Sequence, residues 1–381
     1  MLRKIKENGI VFTLIFLTVL IVFILQSFTF KQYSRYSTDT LHYNKGIVVE
    51  ISNEDIEYDE QLELFLGKQE LKIKMTEGVK ENEFITVTNY LTKTHNVVAK
   101  RNMPLIINLD MPSQLEPYYT VYNYDRTFSL FACAVVLAAA IFCIGGTKGL
   151  KSIAGLFYSM FLVIEFLLPA VFSGWPPIAS GILCAFLSTT VTLLLLNGQS
   201  GKTFSAILST LVGMSFAMIL FFITSKLIHI DGFSSADAEG LILIQEETGL
   251  QIKDVLFAGV IISSLGAIMD VAMSIVSSLY EIHYHTPKLT SKEIFQSGIE
   301  IGKDMIGTMT NTLILAFTGS AFITLLVFLS YQIQFRQLFN SNYLSIEIAQ
   351  GLCGTFGIVL TIPAASAISA FMLKRKYTIK N

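Results

Sequence analysis

Asp270 lies in a segment that disfavours charge. The run Val260-Ile-Ile-Ser-Ser-Leu-Gly-Ala-Ile-Met-Asp270-Val-Ala-Met-Ser-Ile-Val-Ser-Ser-Leu279 is otherwise apolar or small. An ionised carboxylate at the centre of a membrane span costs about 2.5–3.5 kcal/mol on insertion scales, and a chain that keeps one there usually turns it toward a cavity or a partner. Its natural chemistry is the binding and release of a proton or cation. The next long apolar segment carries Asn311 in Gly307-Thr-Met-Thr-Asn-Thr312.

On a helical wheel Ser263, Gly266, Ala267, Asp270, Ser274, Ser277 and Glu281 make one small, polar face. Ile261, Leu265, Ile268, Val271, Ile275 and Leu279 make the opposite face. The following segment has a matching polar face of Asp304, Gly307, Thr308 and Asn311, continued by Leu315 and Thr318. Asp270 lies about ten residues, or ~15 Å, from one end of its span, and Asn311 about eight residues, or ~12 Å, from the same side. At similar depth they could pair or share a wet pocket. Asp270 is the candidate ion-coupling residue. Asn311, Thr308, Thr312, Ser274 and Asp304 are candidates to line its pathway. The bland alternatives are a packing face of small residues and an interhelical hydrogen bond. Glu165, in Phe161-Leu-Val-Ile-Glu165-Phe-Leu-Leu-Pro169, is a second deep acid. Pro169 can free a backbone carbonyl nearby, so Glu165 is either a second proton site or a structural bond.

These residues need membrane helices to hold them. The chain is 52% hydrophobic and 15% charged, with a mean hydropathy of +0.58; a soluble domain carries about 25% charged residues. Spans need about 20 apolar residues, which gives about eight: 9–28, 127–144, 152–172, 178–196, 204–229, 254–280, 305–330 and 348–373. The first is read as a signal-anchor rather than a cleaved signal, because no small-residue cleavage site follows it. Lys148, Lys151, Lys202, Lys288, Lys292, Lys303, Lys374, Arg375, Lys376 and Lys380 all fall on one side. The positive-inside rule then makes both termini cytoplasmic and 31–124 extracytoplasmic, in a multi-pass protein of the cell membrane. The acidic loop 231–254 falls on the far side. Lys226 should snorkel at the outer end of its span. Within that loop, 236–249 is a short amphipathic surface helix. Ser173-Gly-Trp-Pro-Pro177 is a tight outer turn, with Trp175 at the interface.

Residues 31–124 form an extracytoplasmic β domain, read as an OB-like barrel. Its expected strands are Gly46–Ile51, Leu62–Leu66, Glu70–Met75, Phe84–Thr88 and Leu105–Leu109, with Gly67 at a turn. The signal-anchor occupies 1–30 and a seven-span membrane domain 125–381. In the last span Gly351, Gly354, Gly357, Thr361 and Pro363 suggest close packing, with a hinge as the rival reading.

Several chemistries are excluded. Net charge is −2, which gives no case for nucleic acid, and the four cysteines all lie in apolar runs, so no disulfide framework is expected. No metal-ligand spacing and no Ser/Lys nucleophile pair occurs in the spans, so neither an enzyme nor a metal or other cofactor is expected. Gly198-Gln-Ser-Gly201-Lys202-Thr203 lacks the first glycine of a phosphate loop, since position 196 is Leu196. His283 and His285 stand two apart beside Glu281, diverge on a helix, and read as a surface loop. The expected partners are the bilayer, a small solute or ion, and a membrane partner or second copy.

The chain resembles the YibE/F-like family of bacterial membrane proteins. The segments that carry the likeness are Leu265-Gly-Ala-Ile-Met-Asp-Val-Ala-Met-Ser-Ile275, Gly302-Lys-Asp-Met-Ile-Gly-Thr-Met-Thr-Asn-Thr-Leu-Ile-Leu-Ala316, Gly354-Thr-Phe-Gly-Ile-Val-Leu-Thr-Ile-Pro363 and Tyr122-Asn-Tyr-Asp-Arg126. The resemblance spans most of 40–373 and implies a multi-pass protein with an outer β domain. Lys303 stands where the family pattern commonly has Arg. A motif-level likeness to SecD/SecF and RND-type transporters would place Asp270 and Thr308–Thr312 in the coupling region. The resulting expectation is a proton- or ion-coupled transporter, with a non-transporting scaffold or assembly factor as the alternative.

Overall fold

The structure, a computed structural model, describes residues 2–30, 40–112, 116–234 and 238–378. Lys31, Arg35, Asp237 and Lys380 lie outside the described residues. The chain divides into two compact units, 32–140 and the remainder, 1–31 with 141–381.

The first unit is a curled five-stranded antiparallel sheet: β1 (Leu41–Asp59), β2 (Leu64–Met75), β3 (Phe84–Leu91), β4 (Pro104–Asp110) and β5 (Tyr118–Tyr124), in the order β3-β2-β1-β4-β5. β1 organises it, pairing with β4 through residues 41–47 and with β2 through residues 46–59. Register shifts near Val48 and Ile51 bend it, as bulges do, and bring the edge strands β3 and β5 close without a ladder between them. The result is a half-barrel. Alternation along β2, β3 and β4 buries Leu71, Ile73, Met75, Ile85, Val87, Leu105, Ile107 and Leu109 inside the curl.

Two expected strands prove to be one. Residues 64–66 and 70–75 join in β2, with 62–63 in the turn before it, and Gly67 is inside the strand with φ +130°. A Cβ there would meet the Asp55 carbonyl oxygen, so only glycine lets β1 approach. The fifth strand is Tyr118–Tyr124, which the sequence reading passed over. A buried amide pair ties down the irregular segment 96–99. Gln69 Nε2 donates to the Ala99 carbonyl (3.1 Å) and to Glu54 (2.6 Å), and Gln69 Oε1 accepts from the Ala99 amide (2.9 Å). Asn89 donates to the Val97 carbonyl (2.7 Å).

Where the sheet hands over to the first helix of the membrane segment, Lys45 pairs with Asp125 at 2.5 Å, and the Asp125 side chain is only 3% exposed. Asp125 also accepts from the Thr127 amide at 3.0 Å, capping that helix. The Lys45 hydrogen bond, then those from Thr127, hold the Asp125 carboxyl down at about 2. A depressed carboxylate contributes stability that is present above its ordinary value and lost as pH falls toward the folded one. Asp125→Asn should therefore cost about 1–2 kcal/mol near neutral pH. Thermal melts of intact chain and variant should converge between about pH 4 and pH 2. A gap that persists at pH 2 would show the pair to be irrelevant.

The helices are α1 (Leu2–Phe28), α2 (Thr127–Phe161), a π-helical turn (Leu162–Leu167), α3 (Leu168–Phe172), α4 (Pro177–Asn197), α5 (Gly201–Leu227), α6 (Ala238–Thr248), α7 (Val255–His285), α8 (Ser291–Ser330), α9 (Phe335–Phe339) and α10 (Asn342–Thr378). By length and composition, 7 helical stretches among the described residues can cross a membrane. One of them, Thr127–Phe172, is 46 residues long. An unbroken helix of that size would run ~69 Å, over twice the ~30 Å hydrocarbon core. It is not unbroken. Gly146 has φ 55° and ψ −135°, and beyond it a Cβ on Gly149 would meet the Ile141 carbonyl. The two spans expected at 127–144 and 152–172 are thus the two arms of one interrupted helix.

Two loops of the sequence reading are helical. α7 continues through His283 to His285, and His285 pairs with Glu281 at 3.2 Å. α8 starts at Ser291, fixed by a capping box between Thr290 and Glu293. The phosphate-loop decoy is only a cap: Ser200 accepts from the Thr203 amide at the start of α5. α6 forms the short surface helix, and Lys226 lies over the Phe222 ring at 4.1 Å.

Candidate functional site

α7, α5, α10 and α4 make the central bundle. The apolar stripe Ile261, Leu265, Ile268, Val271, Ile275, Leu279 of α7 is buried within it, as the wheel expects. Close approach comes from glycines. Gly213 of α5 stands against Thr361 and Ile268, and Gly357 of α10 against Ala217 and Ile268. Gly354 sits between Leu313 and Ser264. Packing is what the α10 glycines do. Hydroxyls inside the bundle bond back to their own helices: Ser209 to the Ser205 carbonyl (2.6 Å), Ser264 to Val260 (2.6 Å) and Thr361 to Gly357 (2.6 Å).

The polar stripe of α7 faces the other way. Ser263, Gly266, Asp270, Ser274 and Glu281 are exposed on the single chain. So are Asp304, Gly307, Thr308, Asn311 and Thr312 on α8, whose packed side is Ile294, Gly298, Gly302 and Leu313. The candidate residues therefore lie on the outer surface of the bundle, not between its helices. Asp270 and Asn311 form no hydrogen bond with each other, and neither has a hydrogen-bonding partner among the described residues. Thr308 donates to the Met305 carbonyl (3.1 Å) and Thr312 to the Thr308 carbonyl (2.9 Å).

Two contacts fix the relative depth of α7 and α8. Gly298 abuts Leu279, and Gly354 bridges Leu313 and Ser264. Both give the same antiparallel register, which sets Asp270 at the depth of Gly307 and Thr308. Asn311 falls level with Gly266, about one turn or ~6 Å farther on. The expected match of Asp270 with Asn311 is corrected accordingly: Thr308 is the residue at its depth. Lys202 donates to Ser277 (2.7 Å) and Lys303 pairs with Glu300 (2.7 Å), marking a charged layer. Asp270 lies about 10 Å inside that layer.

Glu165 is held differently. Pro169 has no N–H to give the carbonyl four residues back, which is that of Glu165. The π turn at 162–167 accommodates the defect, and Gln26 of α1 supplies the missing donor. Its Nε2 lies 2.9 Å from the Glu165 carbonyl oxygen and 2.5 Å from its carboxylate. Tyr158 adds a hydrogen bond to Thr18 of α1 (3.0 Å), and Phe30 packs edge-on against Trp175 at 5.4 Å. Of the two readings of Glu165, this geometry displays the structural bond. Gln26→Leu should lower thermal stability by about 1–3 kcal/mol, because it removes both hydrogen bonds that Gln26 donates to Glu165. Melts of the purified chain in detergent check this; an unchanged midpoint would mean Gln26 is dispensable.

Sequence reasoning missed three features. A groove of about 410 Å³ opens between α2, α4 and α7, lined by Ser188, Thr192, Gly266 and Met269 among others. Its signal was the hydroxyl run Ser188-Thr-Thr-Val-Thr192. Glu347 of α10, half-buried, lines a second groove of about 160 Å³ against α8. It stands one residue before the expected span. The third is the seam Gly298-Ile-Glu-Ile-Gly302, a small-xxx-small pattern that seats α8 on Ser366 and Ile362. Among the described residues no group of His, Cys, Asp and Glu is placed to hold a metal.

The sequence model of a family described as YibE/F-like protein matches residues 133–375. The match takes in the helical segment with Asp270 and Asn311 and leaves the half-barrel outside it. No curated protein and no solved structure matches the chain.

Proposed function

The chain belongs to the YibE/F-like family, and we propose that it is a proton- or ion-coupled membrane transporter of unknown substrate, with Asp270 as the coupling residue. One observation carries this reading. An acid without an internal partner stands inside a long apolar helix, level with the hydroxyl of Thr308 and about one turn from Asn311. A carboxylate so placed is a proton or cation site unless protein covers it. Thr308, Asn311, Thr312 and Ser274 supply further oxygen and amide ligands along the same surface, with Asp304 toward the lysine-bearing end.

The proposed topology has eight spans, counting the helix broken at Gly146 as two. Lysine-bearing ends and both termini are cytoplasmic. The half-barrel is extracytoplasmic, and its strand order, with β3 beside β5, suits an OB-like barrel. The chain acts without a catalytic step of its own. The decisive assay is proton flux into liposomes that contain the purified protein.

A non-transporting scaffold is the second reading. It is favoured by the outward aim of the Asp270 face, which suits assembly as well as transport. Liposomes with the intact protein and no flux above empty vesicles would select it.

A further inference from the structure

We infer that the exposed faces of α7 and α8 are where a second copy of this chain docks in the membrane, so that Asp270 of each copy meets Thr308 and Asn311 of the other. Three observations lead there. The first is the type of surface. Many exposed helix faces are large and apolar, as with Phe128, Leu130, Phe131 and Val136 on α2 or Phe216, Ile219 and Phe222 on α5. Between Ser263 and Ser274 on α7, and between Asp304 and Thr312 on α8, the outward residues are small or polar. Lipid tails cannot satisfy a carboxylate or an amide, and ionisable residues within spans face protein or water.

The second is the glycines. Gly298 and Gly302 are pressed against α10, which explains them. Gly266 and Gly307 have nothing within 4 Å of a Cβ. A glycine in a helix costs about 1 kcal/mol relative to alanine. Contacts within this chain give no return for those two, and a close-packed neighbouring backbone does.

The third is complementarity. Asp270 accepts hydrogen bonds when ionised; the Asn311 amide donates, and the Thr308 hydroxyl can. Asp270 and Thr308 lie at nearly one depth on the same molecule, and Asn311 about one turn, ~6 Å, from them. A two-fold axis along the membrane normal preserves depth. It brings α7 of one copy against α8 of the other and repeats each contact twice. The face is thus self-complementary, and this is why we assign it to a second copy. The inference stands apart from the transport reading; if both hold, the coupling site is complete only in the dimer.

Disulfide trapping tests it. Cys133, Cys143, Cys184 and Cys353 are first replaced by serine or alanine. One tagged copy then carries Ser263→Cys and a differently tagged copy Leu315→Cys, two exposed positions at nearly the same depth. Oxidation in membranes should give a product with both tags. Phe157→Cys on the exposed face of α2 should not cross-link in this way. Gly307→Leu adds bulk to open space, so it should leave the melting of the chain unchanged and cut the doubly tagged product at least tenfold. Absence of that product from chains that melt normally overturns the inference. So does cross-linking only to a different protein. Trapping that succeeds in vesicles without flux would instead remove the transport reading and leave the interface standing.

Discussion

Asp270→Asn should leave the chain inserted, folded and thermally unchanged, while proton flux falls to the level of empty vesicles. Asparagine keeps the size of the side chain and can still hydrogen-bond, but it does not titrate. No hydrogen bond from any described residue ends on Asp270, so nothing inside the chain loses a partner. The apolar side of α7, which does the packing, is untouched. Stability is expected to move by no more than about 0.5 kcal/mol, as for a surface site. Asn311→Ala should reduce flux less, because Asn311 is a turn away from Asp270. Thr310→Val should change flux least, since Thr310 lies toward the packed side of α8 with its hydroxyl covered. Retained flux in a well-folded Asp270→Asn protein would end the coupling role.

Gly302→Leu is expected to have the opposite profile: the fold fails first. A Cβ at Gly302 would clash with Ile362 Cγ2, and Ile362 is only 3% exposed. Helix propensity favours leucine by about 1 kcal/mol. Overpacking of this kind costs about 1–3 kcal/mol for an extra methylene or two and more for a whole side chain. The clash should win, and α8 should separate from α10. Lower midpoints in detergent, poor recovery from membranes and loss of flux should appear together. A melt equal to that of the parent would mean that the seam repacks at no cost. Gly266→Leu, where a Cβ would meet nothing within 4 Å, is the control and should melt like the parent.

The sequence was most legible where a period ruled. The apolar stripe of α7, from Ile261 to Leu279, was read correctly because each of its members is buried at helical spacing. What the period does not contain is the identity of the neighbours. A stripe of Gly, Ser and Asp suggests a covered interface, and it was paired with the nearest similar stripe, on α8. Both stripes point out of the bundle, because α8 uses Gly298 and Gly302 to pack on α10. Those glycines lie in a charged stretch, beside Glu300 and Lys303, that was read as a loop; a capping box at Thr290 makes it helix. Strands suffered from a similar bias toward apolar runs. The far half of β1, Ser52 to Asp59, is mostly polar and is a strand only because β2 pairs with it. Gly67 read as a turn since no local signal reports that Asp55 passes so close. Pro169 was legible in mechanism, freeing a carbonyl near Glu165, but the donor that answers it comes from residue 26, and no local pattern could have named it.

The separation of Gln26 and Glu165, 139 residues apart in the chain, bears on how the protein is made. Synthesis runs at about 5–20 residues per second, so α1 waits roughly 7–28 seconds for its seat to emerge. During that time the whole half-barrel is synthesised, while Gln26 and Thr18 lack Glu165 and Tyr158. Seating of α1 is therefore a late event in biogenesis. A variant that weakens the seat should lengthen the period in which insertion chaperones hold the nascent chain, and its cost would be paid in yield before it showed in the finished molecule.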